Sequence, residues 1–230
     1  MYKRQEKGLA SIFSGYPNLA HTSVMKYPEK TQKLGYLSKE LIKHHYAGIS
    51  FYYGGNIDFA NMRSYFINGG FNELISMNDF NKKLYNSKWG AHDEYVLNKW
   101  FEDLEKLKSP FFSSCFTLSS HEPFEIPDKA VIKGNDENSK FISSVHYTDK
   151  CVGDFIRKAQ KSDWWDSTLI IIVSDHGHRF PGEVPYYSQD KFHVPMFWTG
   201  GAIATKDTII KKTVSQIDII PTLLSQMGIK

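Results

Sequence analysis

The chain is poor in cysteine: 230 residues hold two, Cys115 and Cys151. That excludes a disulfide framework and a CxxC metal pattern, and leaves both as small, buried, apolar side chains. Long apolar runs are missing too. None approaches the ~18 residues of a membrane-spanning helix, and no secretory leader is visible. A strong charge of one sign is also lacking. The formal net charge is +3 and no long basic run occurs, so nucleic acid is not an expected partner. There is no internal repeat and no low-complexity tract. What the chain does have is 41% hydrophobic and 15% aromatic residues, enough for a real core in one large domain or two small ones.

Strand and helix patterns alternate. Residues 46–52 (YAGISFY) predict a strand that runs into Gly54-Gly55. A helix is expected over 57–68, ending at Gly69-Gly70, then a short strand over 71–76. From Asp93, Val96, Leu97, Trp100, Phe101, Leu104 and Leu107 recur at helical spacing until Pro110 stops them. Residues 111–118 predict a second long strand, and 138–160 a long amphipathic helix with Phe141, Val145, Val152, Phe155 and Ile156 on one face. The unbroken apolar run at 168–174 predicts a strand covered on both faces. Another strand is expected at 194–199, and a helix at 217–227 with Pro221 in its first turn. The polar stretch 127–139 reads as a surface loop. This order predicts an α/β fold with a mostly parallel central sheet flanked by helices, and no domain boundary.

In open α/β sheets, ligands bind at the carboxyl ends of the strands. Three polar clusters are expected at strand ends: Ser174-Asp175-His176-Gly177-His178-Arg179-Phe180, Ser119-Ser120-His121-Glu122-Pro123-Phe124, and Lys191-Phe192-His193-Val194-Pro195. Each alone reads as an ordinary solvated turn or loop. Together they deliver Asp175, His176, His121 and His193 to one cleft. Carboxylate plus imidazole suits Zn2+ or Mn2+ better than Ca2+, which prefers all-oxygen shells. His44-His45 reads as a charged helix terminus, and His146 as solvated or packed on its helix.

These residues, in this order, resemble the sulfatase-like branch of the alkaline phosphatase superfamily. Within it the likeness is to lipoteichoic acid synthase-type phosphoglycerol transferases. It is carried by Ser14-Gly15-Tyr16-Pro17, by Phe116-Thr117-Leu118-Ser119-Ser120-His121-Glu122-Pro123-Phe124, by Tyr147-Thr148-Asp149-Lys150, by Ile172-Val173-Ser174-Asp175-His176-Gly177, by His193-Val194-Pro195, and by Gln216-Ile217-Asp218-Ile219-Ile220-Pro221-Thr222-Leu223-Leu224.

The resemblance implies one divalent metal, Mn2+ or Zn2+, with Ca2+ or Mg2+ less favoured, held by Asp175 and His176. It implies that His121 and His193 bind the substrate's oxyanion or assist the leaving group. A Thr or Ser nucleophile is expected at position 5, where this chain has Gln5, and a further acidic ligand is expected from a strand upstream. Residues 1–5 are therefore expected to be a non-native or truncated start, and 6–230 a sulfatase-like catalytic domain incomplete at both ends; such a chain alone is expected to be inactive. Arg63 and His178 are expected substrate contacts, Arg63 as an anion clamp. Each reads equally as a surface or solvated residue. Ala60 stands where relatives place a Trp, and Trp89-Gly90-Ala91-His92-Asp93 is an expected cleft wall.

The parent enzyme is expected at the extracytoplasmic face of a bacterial membrane, anchored there. It would transfer or hydrolyse a phosphoryl-alcohol group of an anionic phosphodiester or sulfate ester that is lipid- or glycan-linked. Two alternatives stand beside it. One is a non-catalytic remnant binding anions or glycans. The other is a true sulfuric ester hydrolase, whose Cys-x-Pro-Ser-Arg signature would occupy positions held here by Gln5-Glu6-Lys7-Gly8-Leu9.

Overall fold

The computed structural model describes residues 4–85, 87–182, 184–185 and 187–229. Its regular elements are α1 (Gln5–Ser14), α2 (Pro28–Thr31), α3 (Leu37–Lys43), β1 (Ala47–Tyr53), α4 (Met62–Asn68), β2 (Glu73–Ile75), α5 (Asp93–Leu104), β3 (Phe111–Phe116), α6 (Glu137–Ala159), β4 (Ile170–Val173), β5 (Met196–Thr199) and α7 (Ile219–Gln226).

β1 is the middle strand of a parallel sheet ordered β2-β1-β3, with Ser50 opposite both Glu73 and Ser113. Residues 49–53 are all buried because both faces of β1 are covered, and alternation along the strand assigns each side chain to a layer. Ile49, Phe51 and Tyr53 join Leu9 and Phe13 of α1 and Tyr65 and Phe66 of α4 in one core. The Phe51 and Phe66 rings stack at 3.8 Å between centroids. Tyr52 points the other way, into a cluster with Phe80, Ala91 and Val96. Beyond it α5 packs on α6, where Trp100 and Phe155 stack at 4.5 Å and 5°. A fully buried Phe such as Phe66 is worth roughly 1.5–3 kcal/mol.

The expected strands and the two long helices are present, and the structure corrects the expectations in four places. First, α1 was not anticipated. It ends where Gly15 takes a left-handed φ of 60° and donates its N–H to the Ser11 carbonyl, while the Tyr16 N–H reaches back to that of Ala10, a stop for which glycine is the natural residue. Second, β4 and β5 pair antiparallel, Ile170 with Thr199 and Val173 with Met196. Third, β4 is half-buried along its length rather than covered on both faces, and Phe197 beside it is 61% exposed. Fourth, the buried stripe of α6 runs through Tyr147, Cys151, Phe155 and Ala159, at i, i+4 spacing, whereas Val145 is exposed.

Candidate active site

The cleft lies at the rim where β1 ends at Tyr53, β3 at Phe116 and β4 at Val173. β5 begins at this same rim because it runs antiparallel to β4. A histidine just before one strand therefore stands beside a carboxylate just after another. The approach is tight at Gly177, where an added Cβ would sit 2.1 Å from the Lys191 carbonyl oxygen and 3.7 Å from that of His193. Only glycine lets the two backbones meet so closely.

Asp175 and His176 face each other, with Oδ2 3.5 Å from Nε2. The His176 Nδ1 lies 2.9 Å from the Gly177 carbonyl oxygen. A carbonyl only accepts, so Nδ1 carries a proton, and Nε2 is the ring nitrogen that faces the carboxylate. His121 repeats the arrangement, its Nδ1 donating to the Glu122 carbonyl at 2.8 Å. The Trp89 indole N–H donates to that same oxygen at 2.5 Å, and the indole meets the His121 ring edge-on at 5.2 Å. Burial raises the Asp175 carboxyl above the ordinary carboxylate range, while His176 and His121 pull it back down. The phenol of Tyr53 is pushed up by burial and by the carboxylates of Asp175 and Asp93.

Two holding contacts went unrecognised in the sequence. The Gln216 side-chain amide donates to the main-chain oxygens of Ser174 and Asp175. Gly8, one turn into α1, lies so close to Asp175 that a Cβ would fall 2.1 Å from its carbonyl oxygen. Gln216 opens one of the recurring sequence stretches, which was its only signal; nothing in the sequence pointed to Gly8. The contact brings the start of α1, and with it Gln5, to the Asp175 loop. Gln5, at the position where the resemblance implies a Thr or Ser, carries a carboxamide.

The other expected residues are placed as follows. His193 is exposed, and its ring makes no hydrogen bond among the described residues. His178 is packed: its ring stacks on Phe141 at 4.6 Å, lies near Phe124 and Phe180, and its Nδ1 accepts the Phe180 N–H at 3.2 Å. Burial, helped by His176, Arg179, Arg4 and Lys191, lowers it to about 4. Arg63 is engaged with Asp58, Nε to Oδ1 at 2.6 Å and Nη2 to Oδ2 at 3.3 Å. Among the described residues no group of three or more His, Cys, Asp or Glu side chains gathers closely enough to enclose a metal ion. Asp175 and His176 alone fit two positions of a divalent-metal shell, of the oxygen and nitrogen donors that Zn2+ and Mn2+ accept.

The Sulfatase family model matches residues 6–229. Lipoteichoic acid synthase-like YvgJ of Bacillus subtilis (strain 168) is 24% identical over 255 residues, covering 100% of this chain and 41% of that protein. Phosphoglycerol transferase I of Xanthomonas campestris pv. campestris (strain B100) is 26% identical over 152 residues, 61% of this chain and 21% of that protein. The crystal structure of a protein in the alkaline phosphatase superfamily from Vibrio parahaemolyticus superposes with a TM-score of 0.85 at 30% identity, covering 99% of this chain and 55% of that one. This chain thus spans less than half the length of both curated relatives. A family match over nearly its whole length, on an α/β fold of this topology, places the chain in the sulfatase family of the alkaline phosphatase superfamily.

Proposed function

We propose that the chain is the part of a phosphoglycerol-type transferase or phosphodiesterase that recognises the anionic ester and holds one side of its metal. The observation that carries this reading is the Asp175–His176 pair, a carboxylate oxygen 3.5 Å from an imidazole Nε2, at the strand rim of a sulfatase-family fold. Similarity to a lipoteichoic acid synthase-like protein and a phosphoglycerol transferase supports a glycerol-phosphate-type donor, lipid- or glycan-linked, at the outer face of a bacterial membrane. Among the described residues no helix is long and apolar enough to cross a membrane.

Asp175 Oδ and His176 Nε2 would hold Mn2+ or Zn2+. Bound there, the metal supplies positive charge that lowers the pKa of an attacking hydroxyl and neutralises the ester. His121, with Nδ1 engaged by the Glu122 carbonyl, has Nε2 as its remaining ring nitrogen and, when protonated there, would donate a hydrogen bond to a non-bridging oxygen or a proton to the departing alcohol. His193, exposed on the same rim, is available for the second of these roles. The reaction needs a Thr or Ser hydroxyl at position 5. Its oxygen bonds to phosphorus as the alcohol leaves with a proton, and an acceptor alcohol or water later reverses the step.

A second reading has its own support: Gln5 and the lack of a three-ligand cluster among the described residues suit a non-catalytic domain that binds anionic esters or glycans. The two are separated with Gln5→Thr, in this chain and in the full gene product, assayed with Mn2+ and a chromogenic phosphodiester. Turnover that appears in the full product and is abolished by Asp175→Ala supports the enzyme. Turnover unaffected by Asp175→Ala sinks the metal assignment. Ester binding without turnover in every variant supports the binding domain.

A further inference from the structure

Asp93 opens α5 and is 1% exposed. An acid in the first turn of a helix ordinarily serves the helix's own N-terminus, but this carboxylate is directed to other elements. Its Oδ1 accepts the N–H groups of Leu118 at 2.6 Å and Ser119 at 3.2 Å. Its Oδ2 accepts the Ser119 N–H at 3.3 Å and, from α6, the Thr148 hydroxyl at 2.7 Å. The grip is mutual, since the Asp93 N–H donates to the Ser119 hydroxyl oxygen at 3.1 Å. Leu118 and Ser119 begin the turn leaving β3, which closes when the His121 N–H reaches the Leu118 carbonyl at 2.9 Å. Burying a carboxylate is costly unless its oxygens are satisfied, and here the satisfying donors are the turn itself.

We propose that Asp93 is a positioning residue for His121. By fixing the Leu118–Ser119 amides against α5 and α6, it holds the turn in the shape that lets the His121 Nδ1–H reach the Glu122 carbonyl and leaves Nε2 as the ring nitrogen free for the role given above. The inference rests on the reading of His121 given above, and its test reads the ring rather than turnover, so the two stand or fall separately.

The test uses the metal-free chain with ¹⁵N-labelled histidine at mildly alkaline pH, above the ordinary imidazole value of about 6.5, where the ring is neutral. Long-range proton–nitrogen correlations report which ring nitrogen carries the proton. In the unaltered chain His121 is expected in the Nδ1–H form. Asp93→Asn sets an amide N–H₂ against the turn's own donors, so the two His121 nitrogen shifts should converge as both tautomers become populated. His176, tied to Gly177, serves as the internal reference and should keep its pattern. Thr148→Val leaves every Asp93–turn hydrogen bond in place and should move His121 in the same direction by less; it decides the matter if Asp93→Asn does not fold. An unchanged His121 pattern in these variants, with only a lowered melting temperature, would make Asp93 a purely structural tie and overturn the proposal, as would a His121 already mixed in the unaltered chain.

Discussion

The side-chain nitrogen of Gln216 lies 2.9 Å from the main-chain oxygen of Asp175, and 2.6 Å from that of Ser174. A residue that opens the last turn before α7 thus clasps the loop bearing Asp175 and His176. Replacing Gln216 by Leu removes both bonds and is expected to cost about 1–3 kcal/mol. Gln216→Glu should cost more, because a carboxylate would face two carbonyl oxygens. Urea denaturation of the three proteins checks the order.

Gly8 and Gly153 give opposite predictions for the same substitution. At Gly8 an added Cβ meets the Asp175 carbonyl oxygen at 2.1 Å, whereas at Gly153, within α6, it meets only the Arg157 guanidinium, at 3.3 Å. Gly8→Ala is expected to destabilise by about 1–3 kcal/mol through backbone displacement. Gly153→Ala is expected to stabilise by about 0.5–1 kcal/mol through helix propensity and a less free unfolded chain. Thermal unfolding of both variants reads the sign directly.

Mn2+ should raise the melting temperature of the chain only at millimolar concentration, because two ligands give weak binding and the shift follows mass action. Asp175→Ala should erase the shift. His178→Phe should leave it intact, since that ring is packed among Phe124, Phe141 and Phe180. A full shift retained in Asp175→Ala would contradict the assignment.

Burial pushes the Cys151 thiol up to about 12, and burial with the Asp93 charge pushes Cys115 well above its ordinary range. The unfolded thiols ionise near about 8.5. A folded pKa raised in this way gives stability that is complete below the unfolded value and is lost as pH climbs toward the folded one. The native chain at mildly alkaline pH should therefore react very slowly with a thiol reagent, while the denatured chain releases two equivalents. Stability measured by urea should fall across the interval from about 8.5 to about 12.

The candidate site residues were easier to read from the sequence than the residues that hold them in place. Asp175, His176 and His121 follow apolar β-branched or aromatic runs, a pattern that marks a strand end. The two long helices announced themselves by period, although the α6 stripe proved to include Ser143 and Ser144 and to leave out Val145. α1 was hidden because Gly8 lowers helix propensity where close approach to Asp175 demands it. Asp93 looked like an ordinary acid at a helix start, since its partners Leu118, Ser119 and Thr148 are distant in sequence. His193 was expected at the rim although it precedes its strand, and the antiparallel pairing of β4 with β5 supplies the physical reason. Pairing direction is set by tertiary packing, which a local pattern does not encode.

That hairpin has a further consequence. Asp175 and His193 flank a single two-stranded ladder closed at Val173 and Met196, so the ladder, and not the length of the chain that joins them, keeps both near one end of it. Loop-closure entropy grows only slowly with length. The connection from β4 to β5 can therefore change in length at little entropic cost while the Val173–Met196 register is kept.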